Sequence, residues 1–186
     1  MTMKHNKRVN TCIRAATSLD RDDICDIHLH AFPESENQLV ARLAVSLLSE
    51  ETSPETIALV AEVDGAVVGH IAFSPVTSDT NKHWQGYILA PLGVQPDYQK
   101  SGIGSKLIES GIELLSAKKV DVVFVYGDPK YYGKFGFKAE TADQLLPPYE
   151  LQYPFGWQAI VLHERGFDEK ATRISCVASL CDPGLW

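Results

Sequence analysis

The spacing of apolar residues changes repeatedly along this chain, and each change marks a different kind of element. Thr11 to Ala16 alternates as a short strand does, and Thr17 or Ser18 can cap the helix after it. Asp20, Asp22 and Asp23 then fall in a first helical turn, where the helix dipole favours acids. Ile24, Ile27, Leu29 and Ala31 continue that helix until Pro33 stops it. A second helix is predicted over Glu36 to Ser49, because Leu39, Val40, Leu43, Leu47 and Leu48 form one stripe at the helical period. After Pro54 the pattern turns to strands. Ile57 to Val63 and Ala66 to Val76 flank Asp64-Gly65, a hairpin signal, and Thr77 to His83 is polar and turn-like. Tyr87 to Val94 reads as a strand interrupted by Pro91, which predicts a bulge or an unpaired backbone site. Gly102 to Lys118 carries the clearest helical stripe. The β-branched run Val120 to Tyr126 reads as a central strand covered on both faces. Pro129 to Lys134 suits a short helix broken by Gly136, and Trp157 to Leu162 a last strand. The order β-α-α-β-β-β-α-β-α-β is that of one α/β or α+β domain built around a single sheet.

Composition narrows the classes of function. At 186 residues, with 45% hydrophobic and 22% charged, the chain has the make-up of one globular domain rather than a disordered or fibrous segment. Its formal charge of −7 argues against nucleic acid and anionic membrane as partners. Uninterrupted apolar runs fall short of the roughly 20 residues that a membrane span needs. Met1 to Asn10 is basic but lacks the apolar core of a secretory leader. Cys12, Cys25, Cys176 and Cys181 are scattered, as expected of reduced thiols in a cytoplasmic protein. Cys176 and Cys181 have no second His/Cys pair to complete a metal site, so no metal is expected.

The chemically informative stretch runs from Leu92 to Ser105. An apolar strand ends, a turn comes next, and Gly102-Ile103-Gly104 opens the long helix. The first N–H groups of a helix have no intrahelical partner, and the dipole adds partial positive charge. Glycines there let a phosphate reach the backbone, and Lys100 adds a cation at the rim. Two familiar phosphate loops do not match. The dinucleotide fingerprint needs a third glycine where Leu107 stands, and the Gly-Lys-Ser/Thr of nucleoside-triphosphate loops is absent.

Leu92-x-Val94-x-Pro96-x-x-Gln99-x-x-Gly102-x-Gly104 resembles the acetyl-CoA motif of the GCN5-related N-acetyltransferase (GNAT) superfamily. The later run Gly127-Asp128-Pro129-x-Tyr131-Tyr132-x-x-Phe135-Gly136-Phe137 is similar to that superfamily's second signature, in the version carried by its YhbS-like predicted acetyltransferases. The early β-α-α, the hairpin and the strand Gly69 to Phe73 fit the same group. The resemblance covers Ile13 to Leu162. It implies an α/β (α+β) fold with a mixed, mostly antiparallel sheet whose central strands splay apart, flanked by helices. It also implies an acetyl-CoA-binding N-acetyltransferase domain over residues 11–165, with residues 166–186 as a C-terminal extension of open role.

What the resemblance implies chemically is acetyl transfer from acetyl-CoA, as co-substrate, by direct attack of an amine on the thioester. The strands Tyr87–Val94 and Val120–Tyr126 would part to admit the pantetheine arm, with Leu92 and Val94 as its backbone contacts. The amides of Gln99, Lys100, Ser101, Gly102, Ile103, Gly104 and Ser105 would hold the pyrophosphate. The N–H of Leu92 would stabilise the oxyanion, and Tyr132 would protonate the departing thiolate, a phenol with a pKa near 10 being protonated at pH 7. The alternative for Tyr132 is a packing residue beside Phe135 and Phe137, and Tyr131 reads as packing or a cofactor wall. For a base, Glu62 and His70 lie on nearby strands, although a strand glutamate usually faces solvent and a lone strand histidine is usually structural. Asp128 reads as a turn residue, and His28 and His30 as solvent-facing helix positions. The acceptor pocket is expected from Phe32 to Gln38 and Asp143 to Trp157, where Glu34 and Glu36 either draw in a cationic amine or are solvated surface. The expected partner is a small-molecule amine, with cationic amines favoured by the acidic chain, and monomer and homodimer both stay open. A non-catalytic acyl-CoA sensor and a protein lysine or N-terminal acetyltransferase are the competing functions. The identity of the amine, and whether the acyl group is strictly acetyl, also stay open.

Overall fold

The structure is a computed structural model that describes residues 10–80, 83–164 and 171–186. Residues 1–9 of the basic N-terminal segment, 81–82 of the polar turn and 165–170 across the junction of domain and extension lie outside the described residues. The strands are β1 (Thr11–Ala15), β2 (Ile57–Val63), β3 (Ala66–Ser78), β4 (Gly86–Val94), β5 (Val122–Tyr126), β6 (Leu145–Leu146), β7 (Trp157–Val161) and β8 (Thr172–Ser175). The helices are α1 (Arg21–Ala31), α2 (Asn37–Ser49), α3 (Ile103–Ala117) and α4 (Pro129–Tyr132). The main sheet has the order β1-β2-β3-β4-β5-β7. Its pairs are antiparallel except β4 with β5. This mixed, mostly antiparallel sheet with flanking helices is the fold that the motifs implied.

One face of the sheet is covered by α3. Ile103, Leu107, Ile108 and Leu115 bury their side chains against Leu59, Ile71, Phe73 and Val123. The other face carries α1 and α2, with Leu43 and Leu47 packed on Ile88 and Phe124. Each fully buried side chain of this size contributes about 1.5–3 kcal/mol. Phe124 is also stacked on Trp157, ring centroids 5.2 Å apart. At the start of α1, Asp20 accepts the Thr17 N–H at 2.7 Å and the Arg14 guanidinium at 2.8 and 2.9 Å. The Arg14 hydrogen bonds push the Asp20 carboxyl down to about 2.

The helix and strand boundaries agree with the sequence pattern to within a residue or two, and the exceptions are instructive. β3 runs on to Ser78 because Thr77 and Ser78 pair with Ser175 and Ile174 of β8. Periodicity does not reveal β6 and β8, since β6 is two residues long and β8 depends on partners far away in sequence. His28 requires a correction: it is fully buried rather than solvent-facing. It stands one turn after Ile24 on the buried face of α1, and its Nε2 lies 2.8 Å from Nδ1 of buried His70. Two neutral imidazoles can bury each other in this way because one donates and one accepts. His30 remains at the surface. The extension folds back on the sheet of its own chain: Ile174 and Leu180 are buried in the α2 side of the core. No helix among the described residues is long and apolar enough to cross a membrane.

Candidate active site

The site begins where β4 and β5 part. Their parallel pairing runs from Gly86/Val122 to Leu89/Val125 and stops, while β4 continues for five more residues. Between the pairs Ile71/Leu92 and Phe73/Leu89, Ala90 and Pro91 together oppose the single residue Ala72, so β4 bulges as Pro91 led us to expect. Beyond the bulge the register fixes which backbone groups are free. Gln95 N–H donates to Val68 O at 2.8 Å, which makes Gln95/Val68 a hydrogen-bonded pair. Hydrogen-bonded and non-bonded pairs alternate in an antiparallel ladder, so Gly93/His70 is bonded while Leu92 and Val94 turn their N–H and C=O groups away from β3. They face the gap that β5 leaves. There the Val94 carbonyl accepts from Gln99 Nε2 at 3.0 Å.

After β4, Pro96–Tyr98 forms a 3-10 turn and the chain enters α3 through Lys100 at φ 59 and Gly102 at φ 87. The left-handed conformation at Gly102 costs little only for glycine. The Gln99 N–H is already donated to Pro96 O at 3.2 Å, closing that turn. The first backbone bond of the helix is Lys106 N–H to Gly102 O at 3.0 Å, so the N–H groups of residues 100–105 have no backbone acceptor among the described residues. Free N–H groups gathered at a helix start have the geometry to receive an anion. The side chains of the same segment are turned to holding its shape. Ser101 donates to Tyr98 O, and Ile103 is buried in the core. A cavity of about 280 Å³ lies here, with Leu92, Val94, Gln99, Lys100, Gly104 and Tyr131 in its wall.

α4 closes the gap from the α3 side. Asp128 caps it, accepting the Lys130 N–H at 2.9 Å, which agrees with its reading as a turn residue. Tyr131 and Tyr132 meet edge to face with centroids 5.1 Å apart, and Tyr132 packs in the same manner on Phe137 at 5.9 Å. Gly127 makes room for this ring, since a Cβ there would lie 2.5 Å from Cε2 of Tyr132. Burial, aided by the neighbouring Tyr131, pushes the Tyr132 phenol well above its ordinary value, so it holds its proton throughout the neutral range. Tyr132 and Leu92 open together on a second cavity of about 270 Å³ in the splay.

Of the two candidate bases, neither reaches this cavity. Glu62 is bound to Arg14 at 3.0 Å near the β1 edge of the sheet. His70 is fully buried behind β4, where burial holds it well below its ordinary pKa. Glu36 does line the cavity, and its carboxylate has no side-chain partner among the described residues; Glu34 lines neither chamber. Glu36, Tyr126, Leu185 and Trp186 also line an outer cavity of about 490 Å³, where Asp128, Tyr153 and Phe155 join them. The expected acceptor segments therefore contribute Phe32, Glu36, Gln152, Tyr153, Phe155 and Gly156, while Val40, Leu43 and the Leu180–Trp186 end of the chain were missed. The only signal for the latter was an apolar, aromatic tail without a predicted element. Its placement depends on Glu50, whose carboxylate accepts the N–H groups of Ala178 and Ser179 at 3.0 and 3.1 Å.

All four cysteines are unpaired, with the Cys176 thiol pushed up to about 12 by burial. Among the described residues no group of three or more His, Cys, Asp or Glu side chains is arranged to hold a metal.

Comparison with known proteins bears on this geometry. The family model described as "Acetyltransferase (GNAT) family" matches residues 21–137. The uncharacterized N-acetyltransferase YjhQ of Escherichia coli K12 is 37% identical over 134 residues, 71% of this chain and 72% of that protein. YhbS of the same strain is 38% identical over 85 residues, 45% of this chain and 50% of that one. The crystal structure of Escherichia coli YhbS in complex with CoA matches with a TM-score of 0.79 at 24% identity, covering 92% of each chain. A GNAT family acetyltransferase from Brucella melitensis, solved in complex with acetyl-CoA, matches with a TM-score of 0.71 at 30% identity, over 91% of this chain and 97% of that one.

Proposed function

This chain belongs to the acetyltransferase (GNAT) family, and from that premise we propose that it is a cytoplasmic enzyme which moves the acetyl group of acetyl-CoA to the amine of a small molecule by direct attack. The observation that carries this reading is the shared opening of Leu92 and Tyr132 on one cavity at the splay, next to a cradle of unpaired amides. The acetyl-CoA in the Brucella melitensis relative supports the choice of donor.

In this reading the N–H and C=O of Leu92 and the N–H of Val94, turned away from β3, bind the pantetheine arm as a neighbouring strand would, while the Val94 carbonyl is shared with Gln99. The N–H groups of residues 100–105 hold the pyrophosphate, with the Lys100 ammonium at the rim and Gln99 bracing the turn. The N–H of Leu92 donates to the thioester oxygen as it gains charge in the transition state. Tyr132 keeps its proton until the C–S bond breaks, then donates to the departing sulfur and is reprotonated from the nitrogen, which must shed protons as the amide forms.

A melting experiment and a thiol-release assay test the proposal together. Acetyl-CoA at about 100 times its Kd should stabilise the protein by roughly 2.7 kcal/mol. A panel of amines should include at least one that releases free CoA. Tyr132→Phe should lower kcat by about 100-fold while leaving the acetyl-CoA melting shift intact. A melting shift with no thiol release from any amine would identify a sensor, and release with lysine peptides alone would identify a protein acetyltransferase.

A further inference from the structure

The chamber beyond the splay has a chemistry of its own. No Lys, Arg or His side chain lines either the inner or the outer cavity among the described residues, whereas Glu36 lines both and Asp128 the outer one. Apart from the uncharged amide of Gln152, the remaining side chains are aliphatic or aromatic, and Tyr126 and Trp186 line both cavities. Tyr126 and Trp186 lie nearly parallel, 14° apart, with centroids 6.3 Å from each other. Both rings are fixed: Tyr126 Oη accepts the Tyr153 N–H at 3.0 Å, and Trp186 Nε1 donates to Leu180 O at 3.1 Å. Trp186 is further wedged by Tyr149 and Trp157 at 6.0 and 6.2 Å. A fixed aromatic wall takes a flat or aliphatic body at little entropic cost, and its face attracts a cation. Acceptors bearing many hydroxyls or several charges would leave those groups unpaired against such a wall.

Building on the proposed acetyl transfer, we infer that the acceptor is a small primary amine on a flat apolar body, seated against Tyr126 and Trp186, and that Glu36 binds its ammonium and takes its first proton. The step balances. R–NH3+ gives one proton to the Glu36 carboxylate, and the freed lone pair forms the C–N bond to the thioester carbon. The C–S bond breaks with its electron pair on sulfur, which receives a proton through Tyr132 while the nitrogen loses its second. The products are the N-acetyl amine, CoA thiol and one proton passed from Glu36 to solvent.

The test compares 2-phenylethylamine and hexylamine with glucosamine, spermidine and a lysine peptide, reading thiol release by the intact chain. The two apolar amines should exceed the others in kcat/KM by about 10-fold or more, the discrimination an apolar pocket supports. Glu36→Gln should cut kcat/KM for 2-phenylethylamine at pH 7 by about 100-fold, leave the acetyl-CoA melting shift unchanged, and recover as pH rises and free-base amine accumulates. Trp186→Ala should raise KM for 2-phenylethylamine by about 10-fold and leave KM for acetyl-CoA alone. A preference for spermidine, glucosamine or the peptide, or a Glu36→Gln enzyme as active as the original, overturns the inference while the transferase reading stands. Absence of both a melting shift and thiol release overturns that reading, and the inference with it.

Discussion

At one end of the trough through the splayed strands the chain offers backbone N–H groups from one continuous stretch, residues 92–105, while at the other it offers side chains from segments as distant as Phe32 and Trp186. In the proposed reading the first end would bind acetyl-CoA through the path of the main chain. Two of its side chains hold that path, Gln99 on Val94 and Ser101 on Tyr98. The second end, in the inference drawn above, would bind through shape, aromatic faces and the carboxylate of Glu36. A main-chain site tolerates no side chain where the ligand must approach, whereas a side-chain site can be altered at one position without disturbing the other end. Such a division lets one fold keep its donor and change its acceptor.

Three changes should break the two ends apart. The largest effect belongs to Gly104→Leu, because a Cβ at Gly104 already meets Oη of Tyr131 at 2.7 Å and the longer side chain fills the cradle. Losing two charge-assisted hydrogen bonds, about 3–6 kcal/mol, should raise the Kd for acetyl-CoA by about 100-fold or more. Calorimetric titration with acetyl-CoA measures it, and an unchanged Kd would remove the amide cradle from the site.

Acid should act next, through the histidine pair behind β4. The His28 ring lies where a side chain on Gly93 would go, and burial pushes its pKa from 6.5 down to about 4. His70 is lowered by burial and by His28, against the opposing pull of the Asp20 carboxylate. From pH 6.5 to 4 the unfolded chain binds protons that the folded chain refuses, so stability falls as pH falls through that window. The melting temperature should drop by several degrees over that range. The double variant His28→Leu, His70→Leu should show a flatter melting curve against pH, and an equally steep one would take the pair out of the explanation.

The smallest effect isolates the acceptor end. Glu50→Ala removes the carboxylate that caps the Ala178–Leu180 turn, worth about 1 kcal/mol. KM for the amine should rise about 3- to 10-fold. KM for acetyl-CoA should not move. Equal changes in both would mean that the tail supports the whole domain rather than the acceptor wall.

The same contrast explains how much of the molecule is legible without its fold. The hairpin at Asp64-Gly65, the stripe of α3 and the β-branched run of β5 depend on neighbours within a few residues, so periodicity finds them. The bulge at Pro91 is legible because proline has no N–H to give a ladder. His28 misleads because a histidine on an apolar helix face gains its partner, His70, only when α1 lies across the sheet. Glu62 and His70 look usable as bases for a related reason. Their sequence neighbourhood gives no sign of Arg14 or of the burial behind β4.

From its sequence alone, then, the chain determines a strand that must break at Pro91, a glycine-bearing turn with spare amides before a helix, and a tyrosine pair set by Asp128-Pro129. Each arises from local backbone chemistry, where proline, glycine and unmet N–H groups act on their immediate neighbours. Only the tertiary structure decides that Tyr132 and Leu92 share a cavity, that Glu36 rather than Glu34 faces it, and that Trp186 walls it. Those choices rest on packing between segments far apart in sequence, from Leu92 and Tyr132 to Glu36 and Trp186, and such packing is selected by the whole buried core rather than by any local pattern.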